Sequence, residues 1–218
     1  MSVRPRRASR LSNSVLKSGL WAHPHEGIPP AWPRPSEWSI NLKTEVRVKD
    51  RRMFRFRKWG LLTDGVVDVT VEREEPEEPT KGYVPCYHFR VARHGDPRKV
   101  GEVRLRVGSV KDHPSLLTSG QIGYEIDEDA RGHGLAARSC FLLGPVARAH
   151  GLDTVVITCD PQNVASVRTC ERLGATLIGI FDVPEDHPMY QKGRRRVSRY
   201  EWRPYIPGDP ESKPQSHR

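Results

Sequence analysis

Alternating apolar and polar residues predict a series of strands in the middle of the chain. The alternation runs through residues 67–71, 87–91 and 103–107, and a further short strand is predicted over 121–127. A period of two residues is typical of strands that bury one face. Since loops and turns separate these segments, we expect an antiparallel meander of three or four strands.

The period changes after Gly134, where apolar residues recur at the spacing of one helix face. Pro145 lies inside this segment and predicts a kink. The remaining predicted elements are a buried strand, a helix and two strands, over residues 154–160, 161–174, 175–183 and 194–202. This order predicts an α/β or α+β fold with helices flanking a mixed sheet.

The two ends of the chain differ in composition from its middle. We predict a basic, Pro- and Arg-rich extension over residues 1–60 that is partly disordered, a folded domain over 61–206 and a polar tail over 207–218. The extension carries 14 Lys and Arg against 4 Asp and Glu, while the rest carries 22 against 23, so the net charge of +9 lies in the extension. A solvated leader and contact with an anionic surface are both left open.

Other features concern compartment and partners. No run of 18 apolar residues exists, so neither a transmembrane helix nor a membrane partner is expected. The cysteines have no metal-binding spacing, which indicates reduced thiols, a cytoplasmic location and no metal. These residues are Cys86, Cys140, Cys159 and Cys170. A homodimer is left open, and nucleic acid is not the partner we expect.

Two glycines lie between a predicted strand and a predicted helix, in the segment Arg131, Gly132, His133 and Gly134. The first amides of a helix have no intrahelical acceptor, and the helix dipole adds partial positive charge there. Such a turn can therefore bind an anion, and glycine keeps the backbone accessible. The alternative is a turn that only lets strand and helix pack closely, since neither G-x-G-x-x-G nor GK[ST] is present.

The wider sequence resembles a known superfamily. The segment R-G-H-G-L-A, Arg131–Ala136, resembles the [QR]-x-x-G-x-[GA] motif of the GNAT acyl-CoA N-acyltransferases. The segment NVASVRTCERLGA, residues 163–175, is similar to the N-x-x-[SA]-x-x-x-x-E-x-x-G-[FA] helix of that superfamily. The resemblance covers about residues 66–202 and extends to a bacterial acetyltransferase subgroup. It implies a GNAT fold, with a mixed, mostly antiparallel central sheet, flanking helices and a splayed pair of parallel strands.

The resemblance also implies a cosubstrate and a reaction. Acetyl-CoA would donate its acetyl group directly to a primary amine of a small molecule, protein or peptide. The pantetheine arm is expected to pair with amides of residues 125–127, and the diphosphate with amides of the glycine turn. Asn163 would either face the cofactor or cap its helix. The implied cofactor-binding residues are Ile126, Asp127, Arg131, Gly132, His133, Gly134, Leu135, Ala136, Asn163 and Ser166.

The acid and the base are less defined. Many members of the superfamily have a tyrosine seven residues after the motif asparagine, where this chain has Cys170. That thiol either protonates the leaving thiolate or belongs to the core. Tyr200 and Tyr190 are further candidates for the acid, and Glu125 or Glu102 is either the base or a surface carboxylate. The candidate catalytic residues are Glu125, Cys170 and Tyr200.

Two departures from the superfamily pattern affect function. Only residues 74–85 join the first two strands, where the superfamily has one or two helices, so we expect an open acceptor side. The missing tyrosine leaves a second function open, a catalytically weak regulatory module that binds acyl-CoA. The basic extension leaves a third, association with nucleic acid.

Overall fold

The structure is a computed structural model that describes residues 54–204 and the backbone of residues 39–40. The strands are β1 (Ser39–Ile40), β2 (Leu62–Thr63), β3 (Val67–Glu75), β4 (Cys86–Arg93), β5 (Lys99–Arg106), β6 (Ile122–Ile126), β7 (Val155–Cys159), β8 (Thr176–Asp182) and β9 (Arg196–Trp202). The helices are α1 (Leu116–Ser119), α2 (Leu135–Leu142), α3 (Gly144–Ala149), α4 (Val164–Arg172) and α5 (Pro188–Gln191). None of these helices is long and apolar enough to cross a membrane. Most of the predicted extension and the whole of the predicted tail lie outside the described residues.

The strands form one mixed sheet in the order β1-β2-β3-β4-β5-β6-β7-β9-β8. Every neighbouring pair is antiparallel except β6 and β7, which are parallel. The predicted meander is confirmed as β3 to β6, and the predicted fold class is confirmed as a mixed, mostly antiparallel sheet with flanking helices. β3 continues beyond the predicted alternation to Glu75, past a bulge between Val71 and Arg73. β1 falls in a segment predicted to be irregular, and it pairs with β2.

The helical segment after the glycine turn is interrupted more fully than predicted. A kink was expected at Pro145, but the segment forms two helices, α2 and α3, that meet at Leu143. Pro145 lies in the first turn of α3, where its missing N–H removes no helical hydrogen bond. The proline therefore begins a new helix instead of bending an existing one.

The two faces of the antiparallel half of the sheet differ in polarity. One face carries buried apolar side chains such as Phe89, Val103 and Leu105, and α2 packs against it over β3, β5 and β6. Strand alternation sends the intervening residues, including Glu102 and Arg104, to the opposite face. We call this opposite face the charged face.

A buried ion pair fixes the position of α2. Arg138 Nη1 donates to Asp64 Oδ2 at 2.6 Å, and both side chains are more than nine-tenths buried. Asp64 Oδ1 also accepts from the amides of Val66 and Val67, at 3.0 and 2.9 Å. One carboxylate thus shapes the turn between β2 and β3 and ties that turn to α2.

We predict that Asp64→Ala lowers the free energy of unfolding by about 3–5 kcal/mol, because it removes one member of a buried, hydrogen-bonded ion pair and the acceptor of two turn amides. Urea denaturation measures the change. The control is Asp153→Ala, which removes an exposed carboxylate that pairs with Arg148 and should cost at most about 1 kcal/mol. Equal costs for the two variants would contradict a special role for the buried pair.

Candidate functional site

A gap opens in the sheet between its two parallel strands. β6 and β7 share one registered pair, Ile122 with Ile157. Just before that pair, Gln121 N donates to Val156 O, and Val156 N donates to Gln121 Oε1, both at 2.7 Å. Within the described residues, 123–126 have no partner on β7, although they remain paired with β5. The splayed strand pair expected from the resemblance is therefore present.

Strand alternation decides which backbone groups face this gap. Arg106 N donates to Gln121 O, and Asp127 N donates to Val100 O at 2.9 Å. In this register the odd-numbered residues of β6 bond to β5, so the amides of Tyr124 and Ile126 point toward the gap. Of the predicted amides at residues 125–127, only that of Ile126 faces the gap. The Asp127 amide is already occupied by β5, so its predicted backbone contact with a ligand is not supported.

The glycine turn leaves a row of amides without acceptors. Gly132 and Gly134 have φ of +86° and +72°, a left-handed conformation that side chains disfavour. No described group accepts a hydrogen bond from the amides of residues 132–137, and the first bond of α2 is Arg138 N to Gly134 O. A Cβ on Gly132 would have no heavy atom within 4 Å. The turn is therefore an open seat lined by backbone donors.

Two arginines lie at this seat. Arg131 Nε donates to Ile126 O at 2.9 Å, which brings its guanidinium to the mouth of the gap. Arg172, near the end of α4, places Nη1 3.3 Å from where a Cβ of Gly134 would lie. The side chain of Arg172 was not among the predicted site residues, because sequence spacing does not show that the end of α4 reaches the start of α2.

The Asn163 side chain caps the start of α4, which was one of its two predicted roles. Asn163 Oδ1 accepts from Ser166 N at 3.1 Å, so Asn163 caps the helix. Ser166 O in turn accepts from the Tyr124 hydroxyl at 3.3 Å. The two predicted cofactor residues on α4 are thus connected to the wall of the gap through Tyr124.

Thiols and hydroxyls gather on the helix-covered side of the gap. Cys170 is fully buried, and its thiol lies near that of Cys159 at the end of β7. Tyr200 lies opposite Ile157 on β9, and burial followed by the nearby thiols raises the pKa of its hydroxyl. Burial, chiefly, also raises the pKa of Tyr124. Two of the predicted catalytic residues, Cys170 and Tyr200, are therefore brought together around Cys159.

The predicted base lies on the other side of the sheet. Glu125 is exposed on the charged face, directly opposite Glu102 in the β5–β6 register. Glu102 is engaged, since its Oε1 lies 2.9 Å from His88 Nδ1, whereas Glu125 has no ion-pair partner in the described chain. Tyr190 lies in α5, where its hydroxyl donates to Glu185 and its ring contacts Arg195. Glu125 is thus the more available carboxylate beside the gap.

Comparison with known protein families identifies the domain. A family model described as an acetyltransferase (GNAT) domain matches residues 43–176, which is more than half of the chain. No curated protein sequence matches the chain. The match includes the glycine turn and all of α4.

Solved structures overlap with this chain only partly. The Microcin C7 self-immunity acetyltransferase, solved with acetyl-CoA and AMP, is 18% identical over 54% of this chain and 61% of its own, with a TM-score of 0.42. The ribosomal L7/L12 alpha-N-protein acetyltransferase RimL, solved with coenzyme A, is 21% identical over 60% and 66%, with a TM-score of 0.43. A putative ribosomal-protein-serine acetyltransferase from Vibrio cholerae is 20% identical over 57% and 67%, with a TM-score of 0.42. This chain thus spans about two thirds or less of these proteins, and the assignment rests on the domain match.

We predict that Asn163→Ala lowers the free energy of unfolding by about 1 kcal/mol, because the amide of Ser166 loses its acceptor. Thermal and urea denaturation measure the loss. Asn163→Asp keeps an acceptor and should retain most of the stability, and Gln162→Ala is the matched control beside it. A fully stable Asn163→Ala variant would argue against the capping role.

Proposed function

Because the chain belongs to the acetyltransferase (GNAT) domain family, we propose that it transfers an acetyl group from acetyl-CoA to a primary amine. The observation that carries this proposal is the gap beside Ile122 and Ile157, which leads to the open seat at the glycine turn. A nucleotide thioester needs both parts, a slot for an extended arm and a seat for phosphates. The two features are continuous along β6 and the start of α2.

The pantetheine arm would occupy the gap. The amides of Tyr124 and Ile126 point into it and lack a β7 partner, so they can pair with the amide groups of the arm as they would with a strand. Arg131 Nε donates to Ile126 O at the mouth of the gap. We infer that Arg131 turns from this carbonyl toward a phosphate when the cosubstrate binds.

The diphosphate would bind at the start of α2. The amides from Gly132 to Ala136 supply donors, and the helix dipole and the guanidinium groups of Arg131 and Arg172 supply positive charge. The His133 side chain is exposed and leaves this backbone row accessible. In this proposal the amides of Gly132 to Ala136 bind the diphosphate as predicted, and Arg172 is added to the site as a further positive charge.

The reaction proposed is direct attack. The neutral amine nitrogen attacks the thioester carbonyl carbon, a C–N bond forms, the C–S bond breaks, and the thiolate takes up a proton while the amine loses one. A gap-facing amide of β6 polarises the carbonyl oxygen. Holding the two reactants in contact supplies much of the rate enhancement.

The two sides of the sheet suit different proton transfers. Glu125, on the charged face, would accept the amine proton directly or through water. Tyr124, whose hydroxyl lies on the helix-covered side and donates to Ser166 O, would donate to the thiolate in place of the missing tyrosine. Cys170 and Tyr200 are then not themselves the proton donor. The amine, whether of a small molecule, protein or peptide, approaches from the charged face.

We propose that the catalytic unit spans residues 61–206, with residues 1–60 as an extension and residues 207–218 as a tail. The family match begins earlier, at residue 43. Phe54, Phe56 and Trp59 pack against the core, so the end of the extension contributes to the fold.

We predict that Gly134→Glu weakens acetyl-CoA binding at least about a hundredfold, because a carboxylate beside the diphosphate costs several kcal/mol. Isothermal titration calorimetry measures the dissociation constant. Gly95→Glu is the matched control, since Gly95 has φ of +76° and open space around it but lies in the β4–β5 turn. A folded Gly134→Glu variant with unchanged affinity would remove the proposed diphosphate seat.

We predict that Tyr124→Phe lowers kcat about a hundredfold while the KM for acetyl-CoA stays within a few-fold, since a general acid contributes at least this much. Release of free thiol from acetyl-CoA in the presence of an amine panel measures the rate. Tyr200→Phe is the comparison and should retain most of the activity. A larger loss in Tyr200→Phe would transfer the acid role to that residue, and binding without turnover in the wild type would favour an acyl-CoA-binding regulatory module.

A further inference from the structure

Three side chains on the charged face form a group with the donor types of a metal site. Cys86 and His88 are two residues apart on β4, so both project from the same face of the sheet. Glu75 on β3 is the cross-strand partner of Cys86. Their ligand atoms, a thiol sulfur, an imidazole nitrogen and a carboxylate oxygen, all lie within 4.8 Å of one another. Cys86 and His88 are buried, and Glu75 is half-buried.

The imidazole of His88 is held between two carboxylates. Its Nε2 lies 2.8 Å from Glu75 Oε2, and its Nδ1 lies 2.9 Å from Glu102 Oε1. Histidines that bind metals commonly donate their other N–H to a carboxylate, which fixes the tautomer and the ring orientation. With Nδ1–H donating to Glu102, the lone pair of Nε2 is directed toward Glu75 and Cys86.

We propose that Cys86, His88 and Glu75 bind one Zn²⁺ ion, with Glu102 orienting the imidazole and water completing the coordination. Thiolate, imidazole and carboxylate are the ligands that zinc uses in proteins, and the thiolate disfavours Mg²⁺ and Ca²⁺. The site lies on strands β3 and β4, away from the residues assigned to acetyl-CoA. The proposal departs from the expectation of no metal, because cysteine spacing alone does not reveal a ligand group formed by a C-x-H pair on one strand and a glutamate on the next.

The Arg73 guanidinium would compete with a metal ion for this group of side chains. Arg73 forms an ion pair with Glu75, and its Nη2 lies 3.1 and 3.3 Å from the two ring nitrogens of His88. A guanidinium thus occupies the position where these groups attract positive charge. The Arg73 side chain is 55% exposed, so zinc can displace it into water at little cost.

The charge balance around the site permits a divalent ion. Burial raises the pKa of the Cys86 thiol to about 11; the nearby Arg106 and Arg104 counter this in part, but they also oppose a cation. With Arg73 displaced, the Cys86 thiolate, Glu75 and Glu102 carry three negative charges against two on these arginines and two on zinc. A single net positive charge remains, on a face open to solvent.

The bound ion would stabilise the first strands of the meander. It would link β3 to β4 directly and β5 through Glu102, on the face opposite α2. A ligand that binds only the folded state raises the unfolding temperature by mass action. Zinc is therefore expected to stabilise the full chain whether or not acetyl-CoA is present.

The test uses the full chain, stripped with a chelator and titrated with Zn²⁺ alone by calorimetry. Co²⁺ serves as the spectroscopic probe, because a thiolate ligand gives a charge-transfer band. The ligand variants are Cys86→Ser, His88→Gln and Glu75→Gln. The matched controls are Cys159→Ser and His94→Gln, since His94 also pairs with a carboxylate, Asp68, at 2.8 Å but has no thiol in its group.

We expect one zinc per chain and a cobalt–thiolate band that Cys86→Ser removes and Cys159→Ser keeps. Glu102→Gln should weaken zinc affinity about 10- to 100-fold, as removal of an orienting carboxylate does. Absence of stoichiometric zinc, or a band that survives Cys86→Ser, would overturn the proposal. If Cys86→Ser or His88→Gln does not fold, the proposal is still tested by the cobalt spectrum of the wild type and by the zinc affinity of Glu75→Gln, which alters a half-exposed side chain.

Discussion

The candidate site depends on where the two parallel strands β6 and β7 stop pairing. A buried backbone amide or carbonyl without a partner is costly, so proteins pair nearly all of them. β6 and β7 meet at Ile122 and Ile157 and then diverge, which leaves backbone groups of Tyr124 and Ile126 facing a gap. One of them, Ile126 O, is satisfied by Arg131. The remaining groups are available to an extended ligand that carries its own amides.

The gap also separates two chemical environments. The helix-covered side of the gap carries Tyr124, Cys159, Cys170 and Tyr200. The hydroxyls and thiols of these four residues lie in a low-dielectric interior. Glu125 lies on the charged face, in contact with water. A thioester threaded through the gap would expose its carbonyl to one environment and its sulfur to the other.

Much of the fold was predictable from sequence because its signals are local. Alternation located β3 to β6, a change of period located α2, and the glycine turn and the two motifs located the two ends of the expected site. The interruption at Leu143 was only partly predicted, since Pro145 is compatible with either a kink or a new first turn. β1 was missed because two residues are too few to show a period.

The parts of the site that sequence did not reveal are those that depend on contacts between distant segments. Arg172 reaches the glycine turn only because α4 ends beside α2, and the Tyr124 hydroxyl reaches Ser166 across 42 residues of sequence. The Asp127 amide was assigned to the ligand because the register of β6 against β5 was not known. The group formed by Cys86, His88 and Glu75 was overlooked for a similar reason. Its two halves lie on different strands, and a bulge in β3 sets which residue faces Cys86.

The ion pair between Asp64 and Arg138 joins residues 74 positions apart in sequence. Arg138 lies in the first turn of α2, so the orientation of the amides at the glycine turn is set in part from the far side of the meander. Energetic coupling between two positions is reciprocal. Occupation of the anion seat should therefore slow hydrogen exchange at the corner between β2 and β3, although no ligand atom reaches that corner.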